Sequence, residues 1–177
     1  MRFFWGIVVG ILAFFVIGII TMYSGVYNVA ASSPHTAIGR WVLHTTMEHS
    51  VEAHAEDVKA PAQLTRAMVE KGAHHFKDDC VGCHGAPGVE PHEMAKGMRP
   101  EPPELKEAAE EMSPEEIFWV VKHGIKMTGM PAWGKVDDDE ELWNTVAFVK
   151  HIPEISAEQY REMTKGGEDE GESGEAR

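Results

Sequence analysis

The chemistry of this chain concentrates in one pentapeptide, Cys80-Val81-Gly82-Cys83-His84, which contains both of its cysteines. Three chemistries use such a pair. A thioredoxin-type thiol–disulfide site belongs to a βαβ context, and the flanking sequence shows no alternating strand pattern. A structural zinc site takes four ligands, usually including a second cysteine pair or a closely spaced histidine pair; neither follows at that spacing. C-x-x-C-H is also the attachment signature of covalent haem, in which both thiols add to vinyl groups and the histidine ligates iron from one side. This third reading uses both cysteines. It assigns Cys80 and Cys83 to attachment and His84 to iron, and predicts one covalent haem c.

The second axial position decides the function, because an open position permits binding or catalysis whereas a filled one leaves electron transfer. Ten methionines compete for it. Met22 lies in an apolar run, Met68 on the apolar face of a helix, Met112 beside a helix cap and Met163 in a terminal turn. Met94 and Met98 lie in a loop and stay open as candidates. In Lys126-Met127-Thr128-Gly129-Met130-Pro131-Ala132-Trp133 the backbone discriminates between the two methionines. Pro131 pushes Met130 into extended conformation, and Gly129 lets the main chain approach a flat cofactor without a Cβ. Met127 has neither constraint and reads as packing beside the cofactor. Met130 is the expected iron ligand opposite His84.

These residues must be positioned by a chain of 177 residues with a formal net charge of −13, from 29 acidic and 16 basic residues. Nucleic acid is excluded as a partner, since phosphate binding needs clustered Lys and Arg. An acidic surface instead steers toward a partner with a basic docking patch. Phe3 to Met22 is twenty uncharged, mainly apolar residues, which as a helix reach about 30 Å, the thickness of a bilayer core. A cleaved signal peptide is the alternative, with Val29-Ala30-Ala31 as its cleavage site; the apolar run is longer than a signal core and ends well before Ala31. Arg2 is the only charge before the span, and the next Lys or Arg is Arg40. The positive-inside rule then places the N-terminus in the cytoplasm and the rest outside. Gly6 and Gly10 form a GxxxG that can admit another membrane helix.

The expected organisation is a transmembrane anchor over 1–24, a juxtamembrane linker and helix over 25–60, a haem domain over 61–155, and a terminal turn with an acidic tail over 156–177. Residues 25–36 read as linker, followed by a helix from Ala37 to Val58 with a broken apolar stripe of Ile38, Trp41, Val42, Thr45 and Val51. His44, His49 and His54 recur every five residues, about 140° apart on a helix, and so do not converge on a metal. After Pro61 an amphipathic helix runs from Ala62 to Phe76, bearing Leu64, Met68 and Phe76. Five prolines from Pro87 to Pro103 mark a loop, and Glu104–Glu111 a short helix. Ser113, Pro114 and Glu116 form a capping box, with Met112 and Ile117 as its hydrophobic staple and Gly124 as the stop. Another helix starts in the acidic run Asp137–Glu141 and ends near Pro153. Ser156 with Gln159 caps one more turn, and the Gly- and Glu-rich tail from Lys165 reads as disordered. The outer domain is all-α.

The order amphipathic helix, CVGCH, proline-rich loop, capped helix, GMP and aromatic-bearing C-terminal helix resembles the class I c-type cytochromes, and among them the membrane-anchored single-haem members from bacteria. The likeness covers roughly Ala62 to Ile155. It implies a helical shell around one covalent haem, preceded here by a single N-terminal transmembrane helix. It further implies a crossing of first and last helices at Gly72, Phe76 and Phe148, and a proline accepting a hydrogen bond from the His84 ring, by position Pro87. The family's ligand methionine also sits in Gly-Met-Pro, which matches Met130.

The function expected is one-electron transfer by a cytochrome of the bacterial inner membrane with a periplasmic haem domain, either a free carrier or a subunit of a respiratory complex, and not itself an enzyme. A haem enzyme or gas-sensing protein with a labile or absent methionine ligand is the alternative, and a thiol-exchange or structural protein without haem a third. Phe118, Trp119 and Trp133 are candidates for the second side of the iron, each equally readable as core. Arg99 and Trp133 are weighed as propionate donors against surface arginine and core tryptophan. His74, His75, His92, His123 and His151 read as solvated or as favourable charges at helix C-termini.

Overall fold

The computed structural model describes residues 2–165, so the tail expected to be disordered lies, beyond Lys165, outside the described residues. Eight α-helices follow in order: α1 Arg2–Ser24, α2 Ala37–Ala55, α3 Arg66–Asp79, α4 Val81–His84, α5 Leu105–Glu111, α6 Pro114–His123, α7 Asp139–His151 and α8 Ala157–Thr164. Three 3₁₀ turns punctuate them at Ala95–Gly97, Trp133–Lys135 and Ile152–Glu154. Among the described residues there is no strand, only an isolated bridge between Ala86 and Val89. The chain divides into two compact units, Met1–Pro34 and His35–Arg177.

The first unit is dominated by α1, which is long and apolar enough to cross a membrane and buries none of its residues against protein. A leader sequence meets the same criteria of length and composition.

The second unit is built around the crossing of α3 and α7, its largest helix–helix contact. Both helices start where a side chain satisfies free backbone N–H groups. The Thr65 hydroxyl accepts from the Met68 N–H, and the Asp138 carboxylate accepts from the N–H groups of Glu140 and Glu141. Thr65 starts α3 four residues later than Pro61 suggested, leaving Leu64 outside the helix. The buried face of α3 is Val69, Gly72, Ala73 and Phe76. Helix α7 is buried from Leu142 to Val149, because α3, α5 and α6 all pack on it.

At the crossing, a Cβ added to Gly72 would stand 1.9 Å from the Asn144 carbonyl oxygen and 3.1 Å from the Phe148 Cβ. The Phe76 and Phe148 rings meet there at 5.0 Å between centroids. The three residues that the resemblance assigned to the crossing therefore make it. Tyr160 of α8 extends the cluster, its ring 5.7 Å from Phe148. On the other side, the Phe118 ring of α6 stacks on Trp143 at 4.3 Å.

Helix α6 begins with the reciprocal Ser113–Glu116 capping box and ends at Gly124. There φ is +65° and ψ −177°, a region open essentially to glycine alone. Helix α8 has the same reciprocal box between Ser156 and Gln159, and makes two turns rather than one. Helix α2 packs on α6 through its C-terminal half, where Val51 and Ala55 are buried. Trp119 faces this helix, 5.3 Å from the His54 ring, and its ring also meets that of His123 at 5.1 Å.

Candidate functional site

Helix α3 ends and α4 begins at Cys80, whose φ of −111° breaks the path of the chain. The Cys83 and His84 N–H groups both donate to the Cys80 carbonyl, at 3.1 and 3.0 Å. The single turn of α4 thus places Cys80, Cys83 and His84 at i, i+3 and i+4, on one helical face. Gly85 closes the turn with φ +66°, and a Cβ there would sit 2.8 Å from the Val89 carbonyl oxygen. Both cysteines are half-buried and form no disulfide. Burial, reinforced by Asp79, Cys83 and Asp137, pushes the Cys80 thiol up to about 12. This direction is opposite to that of the low-pKa thiols that carry out exchange, so Cys80 is not set up as an attacking thiolate.

The His84 ring is fixed by the carbonyl of Pro103, 3.0 Å from Nδ1. A carbonyl only accepts, so Nδ1 carries the proton and Nε2 keeps a lone pair for a metal. Burial lowers the ring's pKa, against the opposing effect of this hydrogen bond, which favours the neutral form that can ligate. The acceptor is therefore Pro103 and not Pro87. Pro87 shapes the backbone instead. Val89 N–H donates to Ala86 O at 2.8 Å, making a tight turn with Pro87 second and Gly88 third, at φ +76°. The acceptor returns over the ring only at a separation of 19 residues from His84.

Met130 sits on the return limb of a hairpin-like loop after α6. Thr128 N–H and its hydroxyl both donate to Ile125 O, at 3.2 and 2.8 Å, and the Thr128 hydroxyl accepts from Met130 N–H at 3.1 Å. The return limb lies against Gly124, where an added Cβ would stand 2.7 Å from the Met130 oxygen and from the Pro131 carbonyl carbon. Gly124 thus both ends α6 and admits the strap; the sequence shows only the first role. Met127 is at the loop's tip, 75 % exposed and with φ +62°, so it is not packed in the protein core. Over Gly129 lies Met98, whose sulfur would be 2.8 Å from a Cβ there. The residue beside Gly129 is therefore a second thioether. Met94 is two-thirds exposed, which leaves Met98 as the methionine adjoining the strap.

Arg99 is committed to its own loop, donating to the carbonyls of Met98 at 2.7 Å and Lys96 at 3.1 Å. His44 and His49 are exposed and pair with Glu48 and Glu52 on their own helix. Among the described residues no group of three or more His, Cys, Asp or Glu side chains is placed to hold a metal ion. His75 departs from its solvated reading. Its Nδ1 is 3.0 Å from the Thr145 hydroxyl and its Nε2 3.5 Å from both Asp79 and Asp137. The inward oxygen of Asp137 is buried without a hydrogen bond, and the His75 ring is the polar group that faces it. Asp79 is held above the usual carboxylate range, chiefly by burial; His75 opposes the shift while Asp137 and Asp78 add to it. Residue spacing marks only the i, i+4 pair of His75 and Asp79; Asp137 and Thr145 reach it through the tertiary fold.

These residues fit a covalently held haem: two thiols on one helical turn, and an imidazole whose tautomer leaves its outer nitrogen free. Residues 67–149 match the family model described as cytochrome c oxidase, cbb3-type, subunit III. No curated protein matches the chain significantly.

Proposed function

Since the chain is a c-type cytochrome with the all-α class I fold, we propose that it is a membrane-tethered carrier of single electrons, holding one haem c through Cys80 and Cys83 with His84 and Met130 as axial ligands. The observation that carries this reading is the locked His84 ring, with Nδ1 spent on Pro103. Such an outer contact orients a ligand and raises its basicity. Bound there, the haem supplies reversible one-electron chemistry, and a His/Met pair raises its potential. The protein contributes the fixed imidazole, the strap presenting Met130, and an apolar shell from α3, α6 and α7. One C-x-x-C-H supports one haem.

Helix α1 is read as an uncleaved anchor, with Arg2 cytoplasmic and the haem domain in the bacterial periplasm. The matched family is named for an oxidase subunit, which favours a place within a respiratory complex, though a freely diffusing tethered carrier has the same chemistry. The chain itself is then no enzyme. Its charge of −13 supports redox partners with a basic docking patch.

Substitution Met130→Ala in the haem-loaded protein tests the ligand set. The expected result is loss of the thioether–iron charge-transfer absorption and a fall in potential of more than about 59 mV, a tenfold change for one electron. An unchanged potential, with ready binding of carbon monoxide by the wild type, would replace the carrier by a haem protein with an open position. If Met98→Ala gave that loss and Met130→Ala did not, the ligand would be Met98.

A further inference from the structure

Helix α2 carries apolar residues that the fold does not use. From Ala37 to His44, apart from the half-buried Gly39, every residue is exposed, including Ile38 at 76 %, Trp41 at 66 % and Val42 at 46 %. These three share one face, at i, i+3 and i+4. The residues that seat α2 on the domain, Val51 and Ala55, lie roughly a third of a turn round the axis. The apolar face is thus offset from the packing face, adjoining it only at Trp41, which is itself exposed.

Charge identifies what covers it. All 29 acidic residues of this chain lie from Glu48 onward; residues 1–47 contain none. Between Arg2 and Arg40 there is no Asp, Glu, Lys or Arg at all. The change from uncharged to acidic falls inside α2, between its exposed apolar half and its seated half. A water-facing helix in so acidic a chain has no reason to exclude carboxylates from half its length, whereas a surface lying against anionic headgroups does. The link to α1 is residues 25–36, at most about 40 Å when fully extended. Its apolar members Val26, Tyr27 and Val29 are all more than 60 % exposed. Trp and Tyr are the residue types that settle at headgroup depth.

We infer that the first two turns of α2 lie in the bilayer interface, with Ile38, Trp41 and Val42 turned into the headgroup–acyl boundary and Arg40 among the phosphates. The haem domain is then seated on the membrane surface through α2 rather than swinging freely on its tether. This rests on the reading of α1 as a span.

The test uses the full haem-loaded chain, one copy per nanodisc of phosphatidylethanolamine and phosphatidylglycerol at three to one. Haem occupies both native thiols, so single cysteines can be placed at Leu12→Cys, Ile38→Cys, Val42→Cys and Glu48→Cys, all exposed on the protein. Alkylation by a water-soluble maleimide should be several-fold slower at 38 and 42 than at 48, and blocked at 12. An environment-sensitive fluorophore at 42 should emit at shorter wavelength than at 48. Rates at 38 and 42 equal to that at 48, with 12 blocked, overturn the inference and leave the anchor standing. Reaction at 12 overturns the anchor itself. Protection appearing only at high protein density assigns the face to a second copy, and protection only in native membranes assigns it to an integral-membrane protein; either result removes the lipid.

Discussion

Gly72 and Asn144 touch backbone to backbone where α3 crosses α7, leaving no space for even one methyl group. Substituting Gly72→Ala would raise intrinsic helix propensity by about 1 kcal/mol. The added carbon would also meet a carbonyl oxygen at 1.9 Å, and backbone cannot turn aside as a flexible side chain can. Overpacking of this kind costs about 1–3 kcal/mol, or more. The expected net result is a melting temperature lower by about 5 °C or more and a smaller yield of haem-loaded protein. Thermal melts of the matured protein check this; a melting temperature equal to or above wild type would show that the helices can part at no cost.

Gly124→Ala should act through two effects at once. A side chain is strained at φ +65° with extended ψ, by about 1–3 kcal/mol, and its Cβ would press on the strap at Met130 and Pro131. Stability should fall by about that amount, accompanied by weakening of the thioether–iron absorption. Gly97→Ala is the control, since a Cβ there meets nothing. Equal effects of the two substitutions on that absorption would mean that Gly124 does not hold the strap.

The carboxyl of Asp79 is pushed up by burial, so the folded state holds its proton more tightly than the unfolded state. That contribution favours folding at pH values below the unfolded carboxylate range and is lost as pH rises through the raised value. At neutral pH the ionised group therefore works against the fold. Asp79→Asn should raise the melting temperature of the haem-loaded protein at pH 7 by about 1–2 °C. The gain should vanish below about pH 4, where both chains are neutral at this position. Melts from pH 3.5 to 7.5 measure it, and a gain independent of pH would exclude ionisation as its source.

Electron exchange with a basic partner should slow as salt rises, because screening shortens the reach of surface charge to about 8 Å at physiological ionic strength. Stopped-flow rates across a salt series, with the apolar helix α1 in detergent, would show this as a steady decline. A flat profile would remove the acidic surface from the docking step.

What the sequence disclosed follows the range of the interactions involved. The cap of α6 and the small capped turn that became α8 are coded within four residues of each helix start, and both were readable. So was the acidic start of α7, where Asp138 turns out to be the cap. The start of α3 was misplaced because Pro61 is a visible stop signal, whereas Thr65 is one hydroxyl among several. The grouping of Cys80, Cys83 and His84 was legible because one helical turn holds them. The acceptor for the His84 ring was not, since a long proline-rich loop separates it from Pro103 and the family likeness pointed to the nearer Pro87. His75 was missed for the same reason: beyond Asp79 on its own helix, its partners come from the segment before α7 and from α7 itself. Met127 and Met130 differ by a proline and a glycine that sequence does show. The second thioether, Met98, enters only through folding of the loop between α4 and α5.

The segment from 125 to 137 runs between two local stops, the glycine ending α6 and the Asp138 cap of α7. Each is set by chemistry within its own helix end, and neither can slide to absorb a change between them. The contour length of that segment is therefore a fixed dimension of the protein. Removing or adding one residue ahead of Met130 would move its sulfur, the iron ligand we propose, by about 3.5 Å, farther than a coordination bond is long. Away from Met130, a substitution here can be absorbed by repacking more readily than a change in length.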